Sequence, residues 1–234
     1  MLTDEIRAAL RAQADPARAA GQQRYMKSVL PYYGLTSPAL RATLKPVLSR
    51  SRLASADGWR AAVVDLWDHA THREEWYAAI AVLRHGRYRA FALEPSPENI
   101  AMLRNLIVTG AWWDVVDEIS ARTVGELLRA QPALMTPLLR GWAEEEDLWL
   151  RRTAIICQRL FREATDRELL THAIEHSISD GDFFARKAIG WALREYSKTD
   201  GPWVRTYIAA NADRLSPLSV REGLKWLGRP SSAG

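Results

Sequence analysis

Apolar residues recur every three or four positions along nearly the whole chain, the spacing of amphipathic helices. In GAWWDVVDEIS (residues 110–120), Trp112, Val115, Val116 and Ile119 fall on one helical stripe. Ala185, Ile189, Ala192, Leu193 and Tyr196 do the same in GDFFARKAIGWALREYSK, as do Trp149, Thr153, Ile156 and Leu160 in EEDLWLRRTAIICQRLF. Asp15-Pro16, Ser37-Pro38, Ser96-Pro97 and Ser216-Pro217 each set a capping residue before a proline suited to a first helical turn. Tyr33-Gly34, Asp57-Gly58, Asp180-Gly181 and Asp200-Gly201-Pro202 read as turns between helices. No stretch alternates convincingly enough to predict a strand.

The helices carry a weak repeat. Trp76, Trp113, Trp149 and Phe184 lie 37, 36 and 35 residues apart, each near a predicted helix start, and WLRRTAI parallels FARKAIG. Such a period fits an all-α solenoid of stacked HEAT-like helix pairs, curved and with an extended concave face. The competing architecture is a non-repetitive helical bundle. No low-complexity linker divides residues 1–234, so one domain is expected, with a flexible tail at 229–234.

Several side chains fall off the apolar stripes. Asp114 and Glu118 point away from the Trp112 stripe, whereas Trp113 and Asp117, four residues apart, stack along its margin. An indole beside a carboxylate at that edge is usable by a ligand. Trp191 lies opposite the stripe of its own helix, flanked by Lys187 and Arg194 with Phe184 nearby. Either a neighbouring repeat covers it, or it faces a sugar or base while the cations meet phosphates. Arg152 and Arg159 run down one flank of their helix, with Arg151 turned further out. They are placed to grip successive phosphates or to pair with acidic residues of an adjacent helix.

Composition narrows the classes. The 47% hydrophobic and 26% charged residues are those of a soluble globular protein, and no apolar run reaches membrane-spanning length. The opening MLTDEIRAALRAQAD is amphipathic rather than a signal peptide, and the single cysteine, Cys157, excludes an internal disulfide. A cytoplasmic, monomeric protein is expected. The net charge of +4 leans mildly toward anionic partners.

WWDVVD, LWLRR and FFARKAIGWALREY, with RYMK at residues 24–27, resemble the alkylpurine DNA glycosylases of the AlkD type, a HEAT-like repeat family. The resemblance runs in order over roughly residues 20 to 225. It implies monofunctional hydrolysis of the N-glycosidic bond of cationic N3- and N7-alkylated purines, such as 3-methyladenine and 7-methylguanine, in duplex DNA. The lesion would stay in the duplex rather than enter a flipping pocket. The resemblance implies that Asp117, Trp113 and Trp191 are catalytic, and that Arg152 and Tyr25 contact DNA. Lys187, Arg194, Arg159 and Lys27 are added as DNA-binding cations from their positions beside these motifs. The alternative is a non-enzymatic helical-repeat scaffold that binds protein or distorted DNA.

Other motifs carry less. His172-Ala-Ile-Glu175-His176 matches a zinc-protease string, but downstream only Glu195 and Glu222 are available as a third ligand, so no metal is expected. Cys157 reads as a small buried apolar residue. No phosphate-binding glycine loop or dinucleotide fingerprint occurs, so neither a nucleotide nor any other cofactor is expected.

Overall fold

The structure, a computed structural model, describes residues 1–227; the expected flexible tail at 229–234 lies outside the described residues. Among the described residues the chain is helical without strands. It divides into two compact units, Met1–Met102 and the residues from Leu103 onward.

The first unit contains α1 (Leu2–Ala12), α2 (Pro16–Met26), α3 (Ser37–Arg50), α4 (Ala56–Asp68), α5 (Arg73–Leu83) and the single turn α6 (Arg89–Ala92). Asp15 caps α2 through Arg18 N (3.1 Å), as the Asp-Pro signal predicts. Thr36, one residue earlier than expected, caps α3, so Ser37 and Pro38 form its first turn. Asp57-Gly58 is not a turn between helices. Ser55 caps α4 through Gly58 N, which draws the pair into the first helical turn. Gly34 does turn the chain. Its φ is +96°, and a Cβ there would lie 2.1 Å from the Asp15 carbonyl oxygen.

Ile6, Leu10, Val63, Leu66, Ala78, Ala79 and Val82 are fully buried in this unit. Two adjacent glutamates at the start of α5 organise a buried polar network. Glu74 accepts hydrogen bonds from the backbone N–H of Tyr33, Gly34 and Leu35 (2.8–3.1 Å). Glu75 accepts from Arg7 Nε at 3.0 Å, the Tyr33 hydroxyl at 2.9 Å and the Thr71 hydroxyl at 2.8 Å. These carboxylates supply the partners that the irregular 31–35 segment cannot find in a helix.

The unit boundary falls within α7 (Pro97–Gly110). The second unit continues with α8 (Trp113–Ile119), a π-helical turn at Ser120–Val124, α9 (Gly125–Ala130) and α10 (Pro132–Glu144). It ends with α11 (Leu148–Ile156), α12 (Arg167–Glu175), α13 (Phe183–Tyr196), α14 (Gly201–Ala210) and α15 (Pro217–Leu224). Helices two apart in sequence stack: α11 packs on α13, α13 on α15, and α10 on α12. Sequential helices such as α10 and α11 also pack together. This layering of pairs is the solenoid arrangement that the repeat predicts. Trp76 lies in the first turn of α5, Trp113 opens α8, and Trp149 and Phe184 are second residues of α11 and α13.

Two details depart from the periodicity. The helix expected to carry Arg152 and Arg159 together ends at Ile156, so Arg159 lies in the turn that follows. Leu160, expected in the core, is 41% exposed for the same reason. Cys157 is fully buried as expected, and burial pushes its thiol up to about 12.

Candidate functional site

Trp112 is the extended residue that precedes α8 (φ −155°), so Trp113 is the first helical residue and Asp117 lies one turn further on. Val115, Val116 and Ile119 are fully buried and anchor the helix. Trp112 is half-buried rather than wholly internal. Its ring meets Phe184 edge-on at 5.2 Å, and Phe184 in turn tilts on Trp149 at 5.1 Å. The Trp112 indole nitrogen is buried without a hydrogen-bond partner. Trp113 remains 39% exposed.

Asp117 sits deeper than the margin predicted by the helical wheel. Arg152 of α11 draws it inward with a bidentate pair, Nε donating to Oδ1 at 2.7 Å and Nη2 to Oδ2 at 2.8 Å. The remaining guanidinium nitrogen, Nη1, donates to the Phe184 carbonyl at 2.6 Å. Planar, two-point pairing of this kind fixes orientation as well as charge. Arg152 is 3% exposed, so its charge is directed at Asp117 and α13 rather than at solvent. Of the two roles open to it from sequence, the structure places it in the ion pair with an adjacent helix. Burial pushes the Asp117 carboxyl above its ordinary value, and the Arg152 hydrogen bonds and charge pull it back. The Asp117 side chain retains 12% exposure, and each oxygen keeps a second lone pair for water or ligand.

Arg159, although outside the helix, returns to the same neighbourhood. Its guanidinium lies over the Trp191 ring at 4.2 Å, a cation–π contact that half-covers the indole. Its Nε is buried without a partner, and burial lowers its pKa against the opposing influence of the Asp117 and Glu195 charges. Lys187 and Arg194 flank Trp191 on α13, and both are paired with Glu222 of α15, at 2.9 and 2.8 Å. The Lys187 hydrogen bond in particular holds the Glu222 carboxyl below its usual range. Trp113, Asp117, Arg152, Arg159, Lys187, Trp191 and Arg194 thus all belong to the second unit. Tyr25 and Lys27 belong to the first. Tyr25 lies in the last turn of α2 with 78% exposure, and Lys27 caps that helix in the left-handed conformation at φ 50°.

The metalloprotease string does not assemble as its spacing predicts. Glu175 accepts from the Tyr207 hydroxyl at 3.1 Å and pairs with Arg214. Glu222 is committed to Lys187 and Arg194, and Glu195 to Lys198 and Arg194. His172 and His176 instead converge on Glu144, a residue that the sequence offers no reason to single out.

Comparison with known proteins decides the lineage. Residues 6–227 match the model of a family described as DNA alkylation repair enzyme. The chain belongs to the DNA alkylation repair enzyme family. Its match runs through both units. The fold is also similar to that of a solved structure described as a predicted DNA alkylation repair enzyme from Enterococcus faecalis. That likeness has a TM-score of 0.79 at 30% identity, covering 93% of this chain and 98% of the other. No curated protein matches the sequence. As a family member the chain acts in repair of alkylated DNA, and among its described residues no helix is long and apolar enough to cross a membrane.

Sequence reasoning missed two contributors to this site. One is the π-helical turn after α8, where Ser120 Oγ donates to the Val116 carbonyl at 2.6 Å and lies 2.9 Å from Thr153 Oγ1. Such turns often mark functional sites. The other is Asp182, whose side chain caps α13 by accepting from Phe184 N at 2.6 Å, placing the Phe184 carbonyl within reach of Arg152. The Asp-to-helix signal was visible; its link to Arg152 was not.

Proposed function

We propose that the chain is a monofunctional DNA glycosylase, a monomer without cofactor, hydrolysing the N-glycosidic bond of cationic N3- or N7-alkylated purines in duplex DNA. The observation that carries this reading is the Asp117 carboxylate, clamped by Arg152 and still partly open beside the exposed Trp113. A carboxylate held toward a polyanion repels phosphate, a cost to a protein that only binds DNA and a use to one that must stabilise positive charge on the sugar.

Alkylation at N3 or N7 makes the base a cation, so it leaves as a neutral molecule and needs no strong acid. As the C1′–N bond breaks, its electron pair goes to the base and positive charge gathers on the sugar. Asp117 stabilises that charge and orients the attacking water, whose oxygen bonds to C1′ while its proton passes to the carboxylate or to solvent. Trp113 and Trp191 present indole faces, which favour developing cationic character. Arg152 acts through Asp117 as a positioning residue. Trp191 can meet DNA once Arg159 leaves its ring, which would free the guanidinium for a phosphate. Lys187 and Arg194 reach phosphate by sharing or leaving Glu222, while Tyr25 and Lys27 contribute backbone contacts from the first unit.

The test is release of 7-methylguanine from alkylated duplex DNA by wild type and Asp117→Asn. The amide keeps the shape but not the charge, so release should fall by about 10²-fold or more while DNA binding persists. Undiminished release removes Asp117 from the reaction. Wild-type binding without any release favours the scaffold alternative.

A further inference from the structure

We infer that Glu144, His172 and His176 form a binding site for a divalent transition cation of the zinc type, one that pins α10 to α12. His172 and His176 are four residues apart at the end of α12, so both rings rise from the same helical face. Their centroids are 4.5 Å apart. Both Nε2 atoms are directed at a single oxygen of Glu144, the last residue of α10, at 3.2 and 3.7 Å. One ligand atom from each residue lies within 4.8 Å of the others.

Each imidazole can donate an Nε2–H to Glu144, whose oxygen has two lone pairs, and with both Nε2 atoms unprotonated the same three atoms offer lone pairs to one shared cation. Two imidazoles and a carboxylate also form a donor set well suited to zinc, which binds each at about 2.0–2.2 Å. The three ligand atoms lie within 4.8 Å of one another and must draw together to meet a shared ion. Partial exposure of His176 and Glu144 permits that adjustment. His172 Nε2 also faces the Arg140 carbonyl at 3.3 Å, a contact that the cation would replace.

The fourth position opens to solvent. Glu144 and His176 border an open cleft with Ala143, Ser179 and Asp180, wide enough for a hydrated ion to enter and keep a water. Neighbouring cations leave the three ligands unopposed: Arg151 is paired with Asp180 at 2.8 Å, and Arg104 with Glu145 at 3.0 Å. The site uses none of the residues assigned to base excision, so its role is to brace one layer of the helical stack.

The experiment is titration of the untagged, chelator-stripped full-length chain with Co²⁺, followed by displacement with Zn²⁺. One equivalent of Co²⁺ should give the intense visible bands of four-coordinate geometry, and Zn²⁺ should abolish them. His172→Ala, His176→Ala and Glu144→Gln should each weaken binding by more than the roughly 10–100-fold typical of losing an outer partner. His69→Ala, which alters an exposed histidine of the first unit, should leave binding unchanged. Circular dichroism establishes that each variant is folded; His176 is exposed enough for its variant to serve if His172→Ala is not. Absence of one-to-one binding by wild type, or unchanged affinity in folded His176→Ala or Glu144→Gln, overturns the site.

Discussion

At the scale of single residues, the ionisation of Asp117 is set by burial against its pairing with Arg152. Burial is the largest influence on Asp117 and raises its pKa, with Arg152 opposing it. For a carboxyl group, a raised folded pKa means that protonation favours the folded state. Its contribution to stability is present below the unfolded pKa and is lost as pH rises through the folded one. The fold therefore holds this charge against its own stability. If base release needs the carboxylate, activity must fall as pH drops through a value above the ordinary aspartate range. Arg152→Gln removes the main opposing influence, so the acidic limb of the rate profile should move to higher pH. Part of the activity lost at neutral pH should return in more alkaline buffer. A limb that stays in place while the rate falls would mean that Arg152 contributes by some route other than Asp117. Helical spacing put Asp117 at an edge beside Trp113, which is correct in angle and wrong in depth. Depth depends on Arg152, 35 residues away, and no local pattern carries that information.

At the scale of elements, close packing of α13 on α15 sets the positions around Trp191. Gly190 precedes that tryptophan, and a Cβ added there would lie 2.6 Å from Glu222 Cβ and 3.0 Å from the Ser219 carbonyl oxygen. In an exposed helix Gly→Ala would stabilise by about 1 kcal/mol through propensity alone. Here the two nearby obstacles belong to the root and backbone of α15, which cannot simply swing aside. Overpacking of this kind typically costs about 1–3 kcal/mol, so the clash outweighs the propensity. Gly190→Ala should lower the urea midpoint without changing the slope, and a raised midpoint would show that α15 yields easily. The glycine is legible in KAIGW as a break in an otherwise strong helix; the helix that fills the space is not. The same limit explains Arg159 and Leu160. Nothing in IICQRLF announces a stop, because the chain leaves the helix without glycine or proline, and the turn is settled by packing on residues remote in sequence. Helix starts were more legible than helix ends. Asp15, Ser216 and Asp200 cap through their own side chains, which is local chemistry that a sequence displays.

At the scale of the whole molecule, the excess charge is small and much of the basic surface is already paired. Arg50 is bonded to Glu5, Arg151 to Asp180, and both Lys187 and Arg194 to Glu222. A net charge of +4 spread over 234 residues therefore gives a weak long-range pull on DNA, and binding must rest on a few defined phosphate contacts. Each such contact steepens the fall of log K with log salt by about 0.9 on duplex DNA. Lys27 is a suitable cation with which to count them. It closes α2 in a left-handed conformation that hydrogen-bonds its backbone to Arg24 and leaves its side chain exposed beside Tyr25. Substitution by alanine removes the charge without disturbing a buried contact. If Lys27 meets a phosphate, Lys27→Ala should reduce the magnitude of the salt slope by about one and weaken binding equally on alkylated and undamaged duplexes. An unchanged slope would place Lys27 outside the DNA interface. A loss confined to alkylated DNA would instead move Lys27 from the backbone to the lesion.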